Sequence, residues 1–138
     1  MDVESIARNL PALFAALLAS ILFIQSGLDK VFDRRGNLEW LTEHFSKTIL
    51  APLVPLLLVT ITFMEIAAGV LCAAGIVYFL FTSSAMLMFA GSVAAALSIA
   101  ALFFGQRIAK DYAGAAVLIP YFILVVMLMY LTSPFSKS

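Results

Sequence analysis

The sequence predicts an all-α integral membrane protein: a four-helix bundle with a short amphipathic surface helix between the first and second spans. Three observations lead there. Of 138 residues, 64% are hydrophobic and 12% charged, whereas a soluble domain is nearer half apolar and a quarter charged. The charges are gathered in short stretches between long apolar runs. Between Lys47 and Arg107 the one formal charge is Glu65. That stretch is too long for a single span and fits two, since about 20 helical residues cross the hydrocarbon core.

Eight basic and eight acidic residues balance, so no nucleic-acid partner is indicated. The single cysteine, Cys72, excludes an internal disulfide and a C-x-x-C redox pair.

The chain opens "MDVESIARN". Asp2 and Glu4 stand against Arg8, so the positive n-region of a secretory signal is missing. The uncharged run Leu10 to Leu28 is therefore expected to stay as a helix, within a first span over 10–32.

The connection "RRGNLEWLTEHFSKTI" sets Leu38, Leu41, Phe45 and Ile49 on one helical face, with Trp40 nearby. Glu39, Glu43 and Lys47 share another. With Asn37 as N-cap, this reads as an amphipathic helix lying on the membrane with its apolar side down. His44, the only histidine, is expected to be solvated or at the headgroups.

The second span is expected over 52–74. Pro52 and Pro55 suit its first turn, where a missing N–H costs little. Gly75, the strongest turn former in the apolar stretch, marks the expected break. The third span then covers 78–104 and the fourth 112–131. Pro120 should kink the fourth by freeing the Ala116 carbonyl. The tail "TSPFSKS" is expected to be disordered. Small residues recur at close-packing spacing, as Ala15 and Ala19, Gly69 and Ala73, Gly91 and Ala95. Such rows let helix backbones approach in lipid.

Polar residues inside or at the ends of the spans are the candidate site. Glu65 sits midway along the second span, where an ionisable group is costly and should face the bundle interior. Tyr121, midway along the fourth span, is its first candidate partner, with Glu65 expected to be largely protonated. On the first span, Gln25, Asp29 and Asp33 form one stripe, and Ser26 and Lys30 the adjacent row. "GQRIAKDYAG" opens the fourth span at the same level with Arg107, Lys110 and Asp111. The expectation is a polar pocket at the bundle end, lined by Gln25, Asp29 and Lys30 and closed by Arg107, Lys110 and Asp111. The expected links are Asp29 to Arg107 or Lys110, and Lys30 to Asp111. The plainer reading is that these residues are helix ends reaching for water.

One histidine and one cysteine make no recognisable metal or haem site. Phosphate loops and nucleophile motifs do not occur, and no catalytic residue is assigned. The first and third connections carry Arg34, Arg35, Lys47, Arg107 and Lys110. The positive-inside rule then puts both connections in the cytoplasm and both termini outside.

"FIQSGLDKVFD" resembles the first-helix signature of the DoxX family of small four-helix bacterial membrane proteins. "MEIAAGVLCAAGI" resembles that family's second-helix glutamate with its following Gly-rich stretch, and "RIAKDYAGAAVLIPYF" also fits. The resemblance covers nearly the whole chain, and Gly27, Lys30 and Glu65 match the shared pattern. It implies a bacterial inner-membrane protein associated with redox systems, of which a subunit of thiosulfate:quinone oxidoreductase is one example. The expectation is an accessory or quinone-interacting subunit, which would need a quinone or a partner protein for electron transfer. The rival is a structural subunit or assembly factor without chemistry, bound to a larger membrane complex or to copies of itself. A small transporter is less favoured, because no inverted repeat is visible.

Overall fold

The computed structural model of the chain describes residues 2–134, so the end of the tail lies outside the described residues. Six α-helices follow one another: α1 (Val3–Arg8), α2 (Leu10–Phe32), α3 (Arg34–His44), α4 (Val54–Thr82), α5 (Met86–Ile108) and α6 (Tyr112–Thr132). A 3-10 turn, Ala51–Leu53, leads into α4. Four of these segments are long and apolar enough to cross a membrane. The chain is thus a multi-pass membrane protein with an all-helical, four-helix core.

The four long helices run antiparallel in sequence order. α2 packs on α4, α4 on α5 and α5 on α6, and a thinner α2–α6 contact closes the ring. Small residues make this closeness possible. Ala12, Ala15, Ala16 and Ala19 of α2 and Ala68 of α4 are buried in the core with Phe23, Met88 and Leu128. Without a hydrophobic force between helices in lipid, such close packing is what binds them.

Buried hydroxyls are satisfied within their own helices. Ser92 donates to the Phe89 carbonyl at 2.6 Å, Ser98 to Ala94 at 2.8 Å and Thr132 to Leu128 at 2.7 Å. That local bonding lets polar residues lie in apolar spans at little cost.

The break between the second and third spans is not at Gly75. α4 continues to Thr82, and the chain turns at Ser83, which takes a left-handed conformation with φ 62. Gly75 instead lets α5 approach: a Cβ there would lie 2.5 Å from the Met88 nitrogen. The third span consequently starts at Met86 rather than Tyr78.

The surface helix also starts earlier than expected. Asp33, not Asn37, is its N-cap, accepting from the Gly36 amide at 3.3 Å. The helix ends at His44, and Ile49 is exposed beyond it. α6 remains helical through Pro120.

The register between α2 and α4 positions the site. Gly27 abuts Ile66, and Gly69 abuts Ile24. In this antiparallel register the C-terminal end of α2 is level with the residues just before Glu65. The first two turns of α4 therefore project past the end of α2, by about 10 Å at 1.5 Å per residue. α3 lies across the shoulder so formed.

Candidate functional site

Just inside the point where α4 outruns α2, Lys30 and Glu65 meet. The Lys30 Nζ lies 2.9 Å from Glu65 Oε1, with the side chains 16% and 2% exposed. Lys30 also donates to Ser26 Oγ at 2.8 Å, one turn back along α2. Among the described residues, no donor meets Glu65 Oε1 in hydrogen-bond geometry. The short Lys30 contact is therefore charge attraction off the line of a hydrogen bond, and it is the compensation this buried carboxyl has.

Beside the pair lies a cavity of about 370 Å³. Its roof is α3 with the loop that follows, through Asn37, Trp40, Leu41 and Phe45. One wall is the overhang of α4, with Leu57, Thr60, Ile61 and Met64; the other is the end of α5, with Leu102, Phe104 and Gln106. Among the described residues, Lys30 is the one charged side chain lining it, and Glu65 stands behind Lys30 rather than in the wall. An apolar cavity with a few convergent polar groups is the usual form of a small-molecule site.

The roof is pinned at both ends. Near its start, Asn37 Nδ2 donates to Asp29 Oδ2 at 3.3 Å and to the Asp33 carbonyl at 2.9 Å. At its end, His44 Nε2 is 2.8 Å from Gln106 Oε1 of α5 and 3.7 Å from Asp111 Oδ2. His44 also stacks on Trp40, with ring centroids 4.4 Å apart. His44 is thus a tether rather than a solvated headgroup residue. Its contact with Gln106 sets the first and third connections at one end of the bundle.

The expected site residues divide. Lys30 and Glu65 come together as an ion pair, although the sequence suggested Asp111 and Tyr121 as their partners and a neutral Glu65. Tyr121 is 40% exposed on the outside of α6. Asp111 caps α6, accepting from the Gly114 amide at 2.9 Å. Arg107 is exposed, with its guanidinium 4.4 Å over the Tyr112 ring. Lys110 is exposed at the left-handed end of α5, with φ 60. Gln25 and Asp29 lie on the outer face of α2, in a shallow groove with Ile21, Leu28 and Phe32. The two clusters therefore do not meet as a pocket.

Helix geometry explains the split. Residues two apart on a helix are about 200° apart around it. Gly27 faces α4, so Gln25 and Asp29 must face away, while Lys30 and Ser26 flank the seam. Asn37, Trp40 and Gln106 were not among the expected site residues, and Ser26 was set beside Lys30 without a place in the pocket. A signal for His44 was present: it lies three residues after Leu41, on the apolar face of its helix.

Among the described residues, no group of three or more His, Cys, Asp or Glu could hold a metal ion. Comparison with family models, curated proteins and solved structures finds no match to this chain.

Proposed function

We propose that this protein is an accessory, quinone-interacting subunit of a bacterial inner-membrane oxidoreductase system, with the cavity under α3 as its ligand site. One observation carries the reading: a buried Glu65 pairs with a half-buried Lys30, which opens onto an apolar cavity of about 370 Å³. A quinone ring needs an apolar slot and a donor for its carbonyl oxygen. Lys30 supplies the donor; Trp40, Phe45 and Phe104 supply flat apolar surface. The DoxX-like stretches around Lys30 and Glu65 agree with this reading.

The sole tryptophan, Trp40, lines the cavity, and quinones quench indole emission. Titrating a short-tailed benzoquinone into the protein in lipid nanodiscs should give saturable quenching. Lys30→Met should weaken it about tenfold, as expected for losing a hydrogen bond from a charged donor. Quenching that stays linear with added quinone, in both proteins alike, would end the proposal.

A second reading has its own support. The pair lies beside the Gly27–Ile66 contact, so it also ties α2 to α4, as a structural subunit or assembly factor would require. Purification from native membranes separates the two. Co-purifying redox subunits or bound quinone favour the first; a fixed stoichiometric partner and an empty cavity favour the second.

A further inference from the structure

We infer that Glu65 sets the charge class of the cavity's ligand: the site takes a lipophile with a neutral, hydrogen-bond-accepting head and turns away the matching carboxylate. This rests on the cavity being the ligand site, though not on the ligand being a quinone.

An ammonium group has three N–H donors. Ser26 takes one of those of Lys30 at 2.8 Å. The Glu65 contact, at 2.9 Å, lies off hydrogen-bond geometry. At least one N–H is therefore left for an acceptor in the cavity that Lys30 lines. A carbonyl, ester or quinone oxygen can take it without bringing a charge.

An anionic head meets a different balance. The charge of Lys30 is already matched by a carboxylate that is 2% exposed. An incoming carboxylate would be drawn by the ammonium and repelled by Glu65 behind it, so most of the attraction cancels. Its desolvation cost does not cancel. The other polar groups of the lining, on Asn37, Trp40, Thr60 and Gln106, are neutral and bring no second positive charge. Arg107 and Lys110 are exposed and do not line the cavity. Glu65 thus acts through Lys30, as a specificity-determining residue that need not touch the ligand.

The test uses a matched pair of probes, a terminally brominated undecanoate and its methyl ester, at a pH where the acid is ionised. Bromine quenches Trp40, and the component displaced by the unbrominated ester reports the cavity. In nanodiscs, with each probe's concentration measured in the lipid, the wild type should prefer the ester by about tenfold or more. Comparing variants cancels the different partition of the two probes into lipid. Glu65→Gln leaves Lys30 unbalanced, and should shift the ester-to-acid ratio toward the acid by about tenfold. Lys30→Gln leaves Glu65 unbalanced, and should abolish acid binding and weaken the ester. An unchanged ratio in Glu65→Gln overturns the inference, as does a wild type that binds both probes equally or neither. If Glu65→Gln does not fold, the wild-type ratio and Lys30→Gln decide between the same outcomes. Ester binding without quinone quenching would sink the quinone reading and leave this one standing.

Discussion

Gly69 of α4 lies against the backbone of Ile24 on α2: a Cβ built on the glycine would sit 2.7 Å from the Ile24 nitrogen. Backbone cannot swing aside as a side-chain tip can. Gly69→Ala should therefore separate the helices at a cost of about 1–3 kcal/mol. Gly105→Ala is the control, because its nearest neighbour is the Phe45 ring at 3.4 Å, which can yield. Thermal unfolding in detergent should show a clear loss for the first and little for the second. Equal losses would mean that the α2–α4 seam is not the tight contact.

The Lys30–Glu65 pair makes a prediction about stability that differs from its role in binding. Removing one partner of a buried pair strands the other, at about 3–5 kcal/mol. Lys30→Met and Glu65→Leu should each lower the unfolding temperature. The double variant should recover most of the loss, since an apolar pair leaves no stranded charge. Additive losses in the double variant would show that the two groups do not act on each other.

Four apolar helices and a short polar one are legible because composition and run length carry them. The turn between α4 and α5 is harder to read. Thr82, Ser83 and Ser84 punctuate the stretch, but hydroxyls also sit inside these helices, as Ser92 and Ser98 do. Gly75 looked like the turn because a glycine that makes room and a glycine that bends the chain have the same letter. The site was legible in part. Lys30 and Glu65 stand out as polar residues in apolar spans, yet their meeting depends on the α2–α4 register. Lys30 is near the end of its helix and Glu65 well inside its own, so counting from the span ends puts them at different depths. The overhang of α4 brings them level.

Ser83 holds φ 62 at the end of α4, a region that costs a residue bearing a Cβ about 1–2 kcal/mol. It is exposed, so a glycine there loses no packing. Ser83→Gly should be neutral to stabilising by about 1 kcal/mol once the greater freedom of glycine in the unfolded chain is counted. A destabilisation larger than that would mean that the hydroxyl contributes to the turn.

The proposed orientation rests on basic residues at the end of the bundle where α3 meets Gln106. Arg34, Arg35, Lys47, Arg107 and Lys110 all belong to that end, against Arg8 at the other among the described residues. Neither Arg107 nor Lys110 lines the cavity, so both are free to act as orientation signals. Arg35→Cys and Arg107→Cys should be labelled by an impermeant maleimide from the cytoplasmic side. Glu4→Cys should be labelled from the opposite side. Cys72 is buried and should give little background. The reverse pattern would overturn the proposed orientation while leaving the fold untouched.

α3 roofs the cavity but is not embedded in it. No residue of α3 is fully buried, and its far end is tethered by the 2.8 Å contact of His44 with Gln106. Phe45, just past the helix, is buried against the end of α5. A helix held by a few polar contacts at its two ends and one aromatic plug should open more readily than the spans beneath it. His44→Ala removes the polar contact and the ring stacked on Trp40. The loss of one hydrogen bond, about 1 kcal/mol, corresponds to roughly a fivefold rise in local opening. Amide hydrogen exchange should therefore quicken by about that factor across α3, with α4 and α5 unchanged. Quinone quenching of Trp40, if it depends on a closed roof, should weaken in parallel. Exchange that quickens equally in all helices would mean that His44 supports the whole bundle, and exchange that does not change would mean that Phe45 and the Asn37–Asp29 bond hold the roof without His44.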